Sequence, residues 1–394
     1  MGKNGFRLKL KPKNYASFLV IGIVFVLLIV LYCTGSLPRS YARMFHQIAY
    51  SILLAVSLNL VVGYLGELSL GHAGFMCVGA FIGCYCGNFL YAVIPVPLIA
   101  LILSMLIGGV VAALFGFLIG LPALRLKGDY LAIVTLAFGE IVRTVIENID
   151  ALGGPIGLTV TTYSDSLVLV TFAVLLVSLM IMQNLIRSKH GRAITAIRDS
   201  EIAARASGIN VTYYKILTFV VAAFFAGVAG VLYAGNTAKL QSSTFGYNYS
   251  IEILVMVVLG GMGSFNGSII AAALLAYINY KFGDIFSGDL AALRNIIYAL
   301  VLIVIVIVNN APKLQAFRDR FNFHTFGTFI ASSFGKLFAK IRKQSPEEVE
   351  SEIVDHPADW SDIPTKVEMD AILSVDIRRE DGANLKSKKG REES

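Results

Sequence analysis

Long apolar runs dominate this chain, and short polar or glycine-rich breaks separate them. The runs lie at about 15–32, 45–62, 69–91, 98–120, 130–148, 166–186, 214–236 and 292–310. Most of them are long enough to cross a hydrocarbon core of about 30 Å as a helix. The stretch 250–282 is either one long tilted helix or two short helices that meet at the glycines of 260–267. The pattern predicts an all-α polytopic membrane protein.

The distribution of lysine and arginine decides between these two interpretations of 250–282. With a cytoplasmic N-terminus, the inner segments 1–14, 121–129 and 187–215 carry thirteen Lys and Arg, whereas the outer connections carry four. Cytoplasmic loops carry such an excess, and the basic stretch after residue 312 should lie on the same side. Only an even number of crossings meets both requirements. We therefore expect two helices in 250–282, about ten transmembrane helices in all, and both termini in the cytoplasm.

The same pattern divides the chain into four parts. We expect a basic cytoplasmic tail at 1–14 and a transmembrane domain at 15–312, whose longest inner connection is 187–213. Residues 313–343 mix phenylalanine with basic residues and suit either an amphipathic helix on the inner membrane surface or a loosely ordered linker. Residues 344–394 are polar, with acidic and basic blocks, so we expect a largely disordered tail.

Composition agrees with a membrane protein and excludes several other classes. Of the 394 residues, 56% are hydrophobic and 15% are charged, whereas an ordinary soluble domain carries about a quarter charged residues. The net charge of +7 would suggest a nucleic-acid partner in a soluble protein. Here the membrane topology accounts for the basic residues, so we expect no nucleic-acid binding. The four cysteines all lie in apolar stretches and suit packing rather than disulfides or metal.

No familiar catalytic motif interrupts the apolar pattern. The sequence has no G-x-x-x-x-G-K-[ST] phosphate loop and no H-E-x-x-H or G-x-S-x-G motif. The five histidines are scattered along the chain. We therefore expect that the chain is not an enzyme and holds no catalytic residue, metal or cofactor of its own.

Three places in the apolar pattern suit a path through the membrane or a gate. The break 63–74 combines four glycines with a carboxylate, a hydroxyl and an imidazole, and irregular backbone at membrane depth must be buried in protein or line a water-filled cavity. The run 130–148 places charged side chains on one helical face, and the glycines of 260–267 suit a hinge. The alternatives are a short inner loop at 63–74 with a satisfied histidine, and an outer helix end in water for 130–148. The candidate path or gate residues are Asn59, Gly66, Glu67, Ser69, His72, Gly74, Thr135, Glu140, Arg143, Gly260, Gly261 and Gly263.

The inner connection 188–210 is the longest between two runs and is too polar to insert into the membrane. Asp199 can begin a short helix that Gly208 ends. Small and apolar residues interleaved with charged ones favour a docking surface for a cytoplasmic partner, and the alternative is a solvated loop with marginal helix. The candidate coupling residues are Gly191, Arg192, Ala196, Arg198, Glu201, Ala204 and Gly208.

Five stretches, taken together, resemble a known family. They are 66–75, 124–143, 153–158, 191–209 and 257–264. In this order they resemble the LivM-type permease subunit of branched-chain amino acid ABC importers, over about 40–312. The sequence departs from the family at Glu67, where Gln or an apolar residue is common, and in its long tail after about residue 320.

The resemblance implies a multi-pass subunit of a bacterial inner membrane that translocates leucine, isoleucine or valine into the cytoplasm. It implies a homologous LivH-type permease partner, two cytoplasmic LivG/LivF-type ATPase subunits that bind ATP and magnesium, and a periplasmic or lipid-anchored amino-acid-binding protein. It also implies that 191–208 is the element that couples to the ATPases.

Two other classes remain open on the residues alone. One is a self-contained secondary transporter that uses Glu67, Glu140 or His72 to couple protons or sodium. The other is a membrane scaffold without transport. The polar inner connection favours the ABC importer, because a secondary carrier has no motor to dock.

Overall fold

The computed structural model describes residues 16–33, 38–94, 96–123, 126, 128–160, 167–285 and 303. All of these lie in the first of two compact units, residues 1–314. The predicted tail at 1–14, the segments 313–343 and 344–394, and the apolar run 292–310 apart from Ile303 lie outside the described residues.

The described part of the chain is almost entirely helical, as expected. Its α-helices are α1 (Ala16–Cys33), α2 (Arg39–Asn59), α3 (His72–Val93), α4 (Pro97–Ala123), α5 (Asp129–Glu147), α6 (Leu167–Arg187), α7 (Lys189–Asp199), α8 (Glu201–Ala206), α9 (Val211–Gly235), α10 (Tyr247–Gly260) and α11 (Phe265–Ile285). A π-helix, Leu60–Leu65, continues α2. Short 3₁₀ turns lie at Asp150–Leu152, Gly154–Ile156 and Ser242–Phe245, and the two strands are β1 (Leu158–Thr159) and β2 (Lys239–Leu240).

Five helices of the described part are long and apolar enough to cross a membrane. They are Ser40–Leu65, His72–Val93, Pro97–Pro122, Leu167–Arg187 and Val211–Gly235. The short helix α10 has 14 residues, about 21 Å at 1.5 Å per residue, and is too short to span alone. The prediction of a polytopic membrane protein is therefore confirmed, while the count of ten crossings stays a prediction.

The stretch 250–282 holds two helices, as the charge distribution predicts. α10 ends at Gly260 and α11 begins at Phe265. Between them, Gly261 and Gly263 have φ angles of 88° and 80°. These are left-handed conformations that glycine adopts without steric cost. We call residues 261–264 the glycine turn.

Helices α3, α4 and α9 pack closely at the centre, and α2 lies against α6, α9 and α11. Glycines permit the close packing: a Cβ on Gly79 would lie 2.2 Å from the Cα of Gly227. The opposite face of α4 exposes Val110, Leu114 and Leu118 at helical spacing. An apolar stripe of this kind on a membrane helix suits contact with lipid.

The two ends of the bundle are distinguished by the connections that meet there. β1 pairs with β2 in antiparallel register, Leu158 opposite Leu240, and so joins the loop after α5 to the loop after α9. At the other end of α9 lie α7 and α8, which we call the docking pair. The glycine turn lies at the same end, because Arg198 of α7 and the turn both contact the π-helix region.

We predict that cysteines introduced as Met262→Cys and Ile202→Cys react with a membrane-impermeant maleimide only from the cytoplasmic side. Both side chains are exposed, at 62% and 83%, and both lie at the end that carries the basic inner segment. Ile156→Cys, at a position 70% exposed in the loop after α5, should react only from the opposite side. Labelling of right-side-out and inverted vesicles measures this, with Cys33 and Cys86 replaced by serine. Reaction of Met262→Cys and Ile202→Cys from different sides would contradict the fold.

Candidate functional site

A stretch of irregular backbone separates the end of α2 from the start of α3. The π-helix Leu60–Leu65 ends at Gly66, which has a φ angle of 81°, and the Glu67 amide donates a hydrogen bond to the Val61 carbonyl at 3.1 Å. Residues 66–71, which we call the break segment, are not helical, and α3 begins at His72. π-helical turns inside α-helices are frequent at functional sites.

The break segment runs into the bundle. Its backbone amide at Leu70 donates to the Thr135 hydroxyl of α5 at 3.0 Å. In the first turn of α3, the Ala73 amide donates to the Ser250 hydroxyl of α10 at 3.1 Å. Ser69 and Gly71 are buried. The N-terminus of α3 therefore lies between α5 and α10, where protein side chains supply the hydrogen-bond partners that water cannot supply inside a membrane.

Close approach explains the glycines here. A Cβ on Gly71 would lie 2.3 Å from the Thr135 carbonyl oxygen, and one on Gly74 would lie 2.7 Å from the Cα of Gly139. His72 is buried, and its Nε2 shares a hydrogen bond of 2.8 Å with the Ser57 hydroxyl. Close packing and a hydrogen-bonded histidine agree with the interpretation of 63–74 as a short inner loop. The burial of the break segment between α5 and α10 agrees with its interpretation as a path or gate.

Ser69 differs from its neighbours because its hydroxyl is buried without a hydrogen-bond partner. Among the described residues, only the Ser69 and Ser268 hydroxyls have this property. An unsatisfied buried hydroxyl costs about 1–3 kcal/mol. Ser69 lies three residues before the first residue of α3, where the helix dipole favours negative charge. This hydroxyl could therefore donate a hydrogen bond to an anionic group.

The charged face of α5 forms a small ionic ladder. Arg143 lies 2.9 Å from Glu140 through its Nε and 2.9 Å from Glu147 through its Nη1. Glu140 also accepts a hydrogen bond of 2.8 Å from the Tyr247 amide, at the first residue of α10. All three charged side chains are partly exposed, while Ile141 beside them is largely exposed and apolar. The ladder thus lies at the edge of the bundle and fastens α10 to α5.

The end of α2 is fastened to the glycine turn. Asn59 is fully buried, and its Nδ2 donates to the Ser264 carbonyl at 3.1 Å. Its Oδ1 accepts a hydrogen bond of 3.0 Å from the Gly263 amide. Arg198 of α7 donates from Nη1 to the Gly63 carbonyl at 3.0 Å. One cluster therefore contains the π-helix, the glycine turn and the docking pair.

The docking pair is two helices, each with its own cap. The Ser188 hydroxyl accepts from the His190 amide at 3.1 Å and begins α7. The Ser200 hydroxyl accepts from the Ala203 amide at 3.3 Å and begins α8. The prediction that Asp199 caps the helix is wrong, because Asp199 is the last residue of α7. Gly208, with a φ angle of 81°, follows the end of α8 as predicted.

The docking pair has an anchored face and an exposed face. Its anchored face belongs to a buried cluster of Leu65, Ile194, Ile197, Ala204 and Val211. Gly191 is buried too, and a Cβ there would lie 1.8 Å from the Ile186 carbonyl oxygen. The exposed face carries Arg192 and Ile202. Of the candidate coupling residues, Gly191 and Ala204 therefore hold the pair in place rather than face a partner.

Comparison with known proteins decides the family. The family described as "Branched-chain amino acid transport system / permease component" matches residues 40–306. The chain belongs to this family. Its members are membrane permeases, and the five apolar helices of the described part agree with a multi-pass membrane protein.

Three relatives show the range of the permeases that this chain resembles. The LivM permease protein of a high-affinity branched-chain amino acid transport system in Salmonella typhimurium is 36% identical over 262 residues, which cover 57% of this chain and 59% of that protein. A probable LivM protein of Methanocaldococcus jannaschii is 27% identical, over 58% of this chain and 76% of that protein. The ribose import permease protein RbsC of Escherichia coli is 31% identical over 129 residues, which cover 31% of this chain and 39% of that protein. The chain thus spans about three fifths of the length of the Salmonella relative.

The structure of this permease-family chain joins some of the candidate residues and separates others. Asn59, Gly66, Gly263 and Arg198 lie in one cluster at the end of the bundle that holds the docking pair and the glycine turn, which we call the docking end. Ser69, His72, Gly74 and Thr135 lie together where α3 begins, and Glu140 and Arg143 lie on the α5 ladder. Gly260 packs against Gly267, and Gly261 opens the glycine turn. No group of three or more metal-ligating side chains occurs among the described residues.

Sequence reasoning missed one residue of the docking end. Lys215, on the second turn of α9, is only 3% exposed. Its Nζ contacts Glu67 of the break segment and lies 3.3 Å from Glu201 of α8. In the sequence it counted only toward the basic charge of the inner segment. The one signal available was a lysine inside the apolar run 214–236, where an unpaired ammonium would be costly.

We predict that Gly71→Ala destabilises the protein by about 1–3 kcal/mol, because the added methyl group meets the Thr135 backbone and forces α3 away from α5. The thermal unfolding temperature in detergent should fall. Gly22→Ala is the matched control, because a Cβ at Gly22 has no atom within 4 Å and alanine favours helix. Equal unfolding temperatures for the two variants would contradict the close contact at Gly71.

Proposed function

We propose that this chain is the transmembrane permease subunit of an ATP-binding-cassette importer that carries leucine, isoleucine or valine into the cytoplasm. Family membership and the LivM relatives support this function. The observation that carries it is the docking pair. One of its faces is anchored to the π-helix and the glycine turn, and the other is exposed at the end where a motor would bind.

The proposal includes the partners and the location. A LivH-type permease would pair with this chain, and two LivG/LivF-type ATPase subunits would bind ATP and magnesium. A periplasmic or lipid-anchored binding protein would deliver the amino acid, and the assembly would lie in a bacterial inner membrane. The lack of a phosphate loop in the chain's sequence supports placing ATP hydrolysis in other subunits.

In this proposal a movement of the docking pair reaches the membrane interior through Arg198. The guanidinium group is bonded to the Gly63 carbonyl within the π-helix, and the aliphatic part of the Arg198 side chain lies against Gly66. A displacement of α7 would move the start of the break segment, and the left-handed glycines would accommodate the change. Alternating access needs two such states whose balance ATP and the binding protein bias differently.

The path itself would lie beside the start of α3. A zwitterionic amino acid needs a partner for its carboxylate, and helix N-termini inside a membrane fulfil this role in transporters. The Ser69 hydroxyl next to the α3 N-terminus supports that position. The ionic ladder on α5 supports a water-filled space or a polar partner beside that helix. Charged side chains in a membrane face a bundle interior or a water-filled space rather than lipid.

Reconstitution should test the function directly. The complete transporter, isolated through a tag on this chain and placed in liposomes, should take up leucine when ATP is on the ATPase side and the binding protein is on the other. A non-hydrolysable ATP analogue is the control and should abolish uptake. Ribose should not be carried, and its uptake would contradict the substrate class, since RbsC is also a relative. Leucine uptake by the purified chain alone, driven by an ion gradient, would favour the secondary transporter.

A second measurement tests the docking surface. We predict that Ile202→Asp lowers the amount of co-purified ATPase by about tenfold, because Ile202 is an apolar side chain 83% exposed on the docking pair and would be buried by the partner. Ile156→Asp is the matched control, since it changes an exposed isoleucine at the opposite end of the bundle. Quantitative co-purification of the complex is the readout. Equal ATPase recovery with both variants would contradict the assignment of the docking pair.

A further inference from the structure

Lys215 links three segments that are far apart in the sequence. It is the one Lys, Arg, Asp or Glu among the described residues that is buried. Its ammonium group contacts the carboxylate of Glu67, 148 residues away, and lies 3.3 Å from the carboxylate of Glu201. Glu67 belongs to the break segment, Glu201 begins α8, and Lys215 itself belongs to α9.

Electrostatics makes this contact a strong constraint on geometry. A buried ammonium is costly unless it is paired and hydrogen-bonded. The second oxygen of Glu201 accepts from Arg205 at 2.8 Å, so the four charged groups sum to zero. Removing one partner of such a cluster leaves an uncompensated charge and costs more than replacing a whole pair by neutral groups. The break segment and α8 are therefore held at fixed positions relative to α9.

We infer that Lys215 is a positioning residue that couples movement of α8 to the break segment, and we call Glu67, Lys215 and Glu201 the ionic link. This inference rests on the proposed function. Helix α9 is largely buried in the bundle, whereas α8 has six residues and is mostly exposed. When a partner displaces α8, the ammonium group must either follow Glu201 or lose it. Either outcome changes its contact with Glu67 and hence the position of the break segment.

The ionic link acts separately from Arg198. Arg198 is bonded to the Gly63 carbonyl and lies against Gly66, the first residue of the break segment, whereas Lys215 contacts the side chain of Glu67. The two contacts originate in different helices, α7 and α9. A defect in the ionic link should therefore loosen the break segment even where Arg198 and the anchored face of the docking pair are intact.

Hydrogen exchange of the full chain in detergent is the first experiment. In Glu201→Gln, the amides of residues 66–71 should exchange about tenfold faster than in the parent, because a charge-assisted contact to Lys215 is lost. Arg205→Gln is the matched control. It removes the exposed partner of the same carboxylate, so it should leave exchange at 66–71 unchanged. The double variant Lys215→Met/Glu67→Gln, which leaves no buried charge of either sign at that pair, should also exchange faster.

The second experiment compares uptake with ATP hydrolysis in the complete transporter. Glu201→Gln and the double variant should keep ATP hydrolysis but lower leucine uptake per ATP at least about fivefold, whereas Arg205→Gln should keep the parent ratio. Lys215→Arg should retain part of the coupling, because the charge remains.

The outcomes separate the two proposals. Unchanged exchange at 66–71 in both Glu201→Gln and the double variant would overturn the ionic link. Faster exchange with a parent ratio of uptake to hydrolysis would overturn its role in coupling. If the parent complex carries no leucine, the proposed function fails, while the exchange measurement still tests the contact. A purely structural role would lower uptake and hydrolysis together and would also overturn the inference.

Discussion

The architecture depends on how the protein satisfies a stretch of irregular backbone inside the bundle. Lipid offers no hydrogen bonds, so the amides around the start of α3 must find partners in the protein. The Thr135 hydroxyl of α5 and the Ser250 hydroxyl of α10 provide two of them. Gly71 then permits α5 to approach within contact of the break segment. The position of α3 is thus fixed by two other helices, and a shift in any of the three affects the others.

The same requirement applies at the docking end, but there the partners can move. The carbonyl of Gly63 and the backbone of the glycine turn are satisfied by Arg198 and Asn59. Arg198 belongs to a short helix whose outer face is exposed, so its position can respond to a bound partner. Asn59 belongs to the buried α2. The docking end therefore combines a fixed contact and a movable one on adjacent parts of the chain, which is a suitable arrangement for transmitting a displacement.

The sequence predicts those features that depend on local pattern or on summed charge. Left-handed glycines separate α10 from α11 where the balance of Lys and Arg requires two helices. The polar break of 63–74 is also visible locally. The partners of Lys215 are not, because Glu67 lies 148 residues away and no periodicity connects the two. The inward position of Ala204 was missed as well, since a helix of six residues is too short for its pattern to reveal a buried face.

The pairing of the charged groups favours an external motor over ion coupling within this chain. An ion-coupled carrier needs a titratable group that exchanges its ion during each cycle. The three groups that could serve are all engaged: Glu67 with Lys215, Glu140 with Arg143, and His72 with Ser57. Releasing Glu67 would take one of its two carboxylate partners away from the buried Lys215 ammonium group, which is costly. A partner that binds the exposed face of the docking pair gains contacts there, and no ion has to leave a paired group. The charged contacts therefore favour the proposed external motor, acting at the docking pair, over ion coupling within the chain.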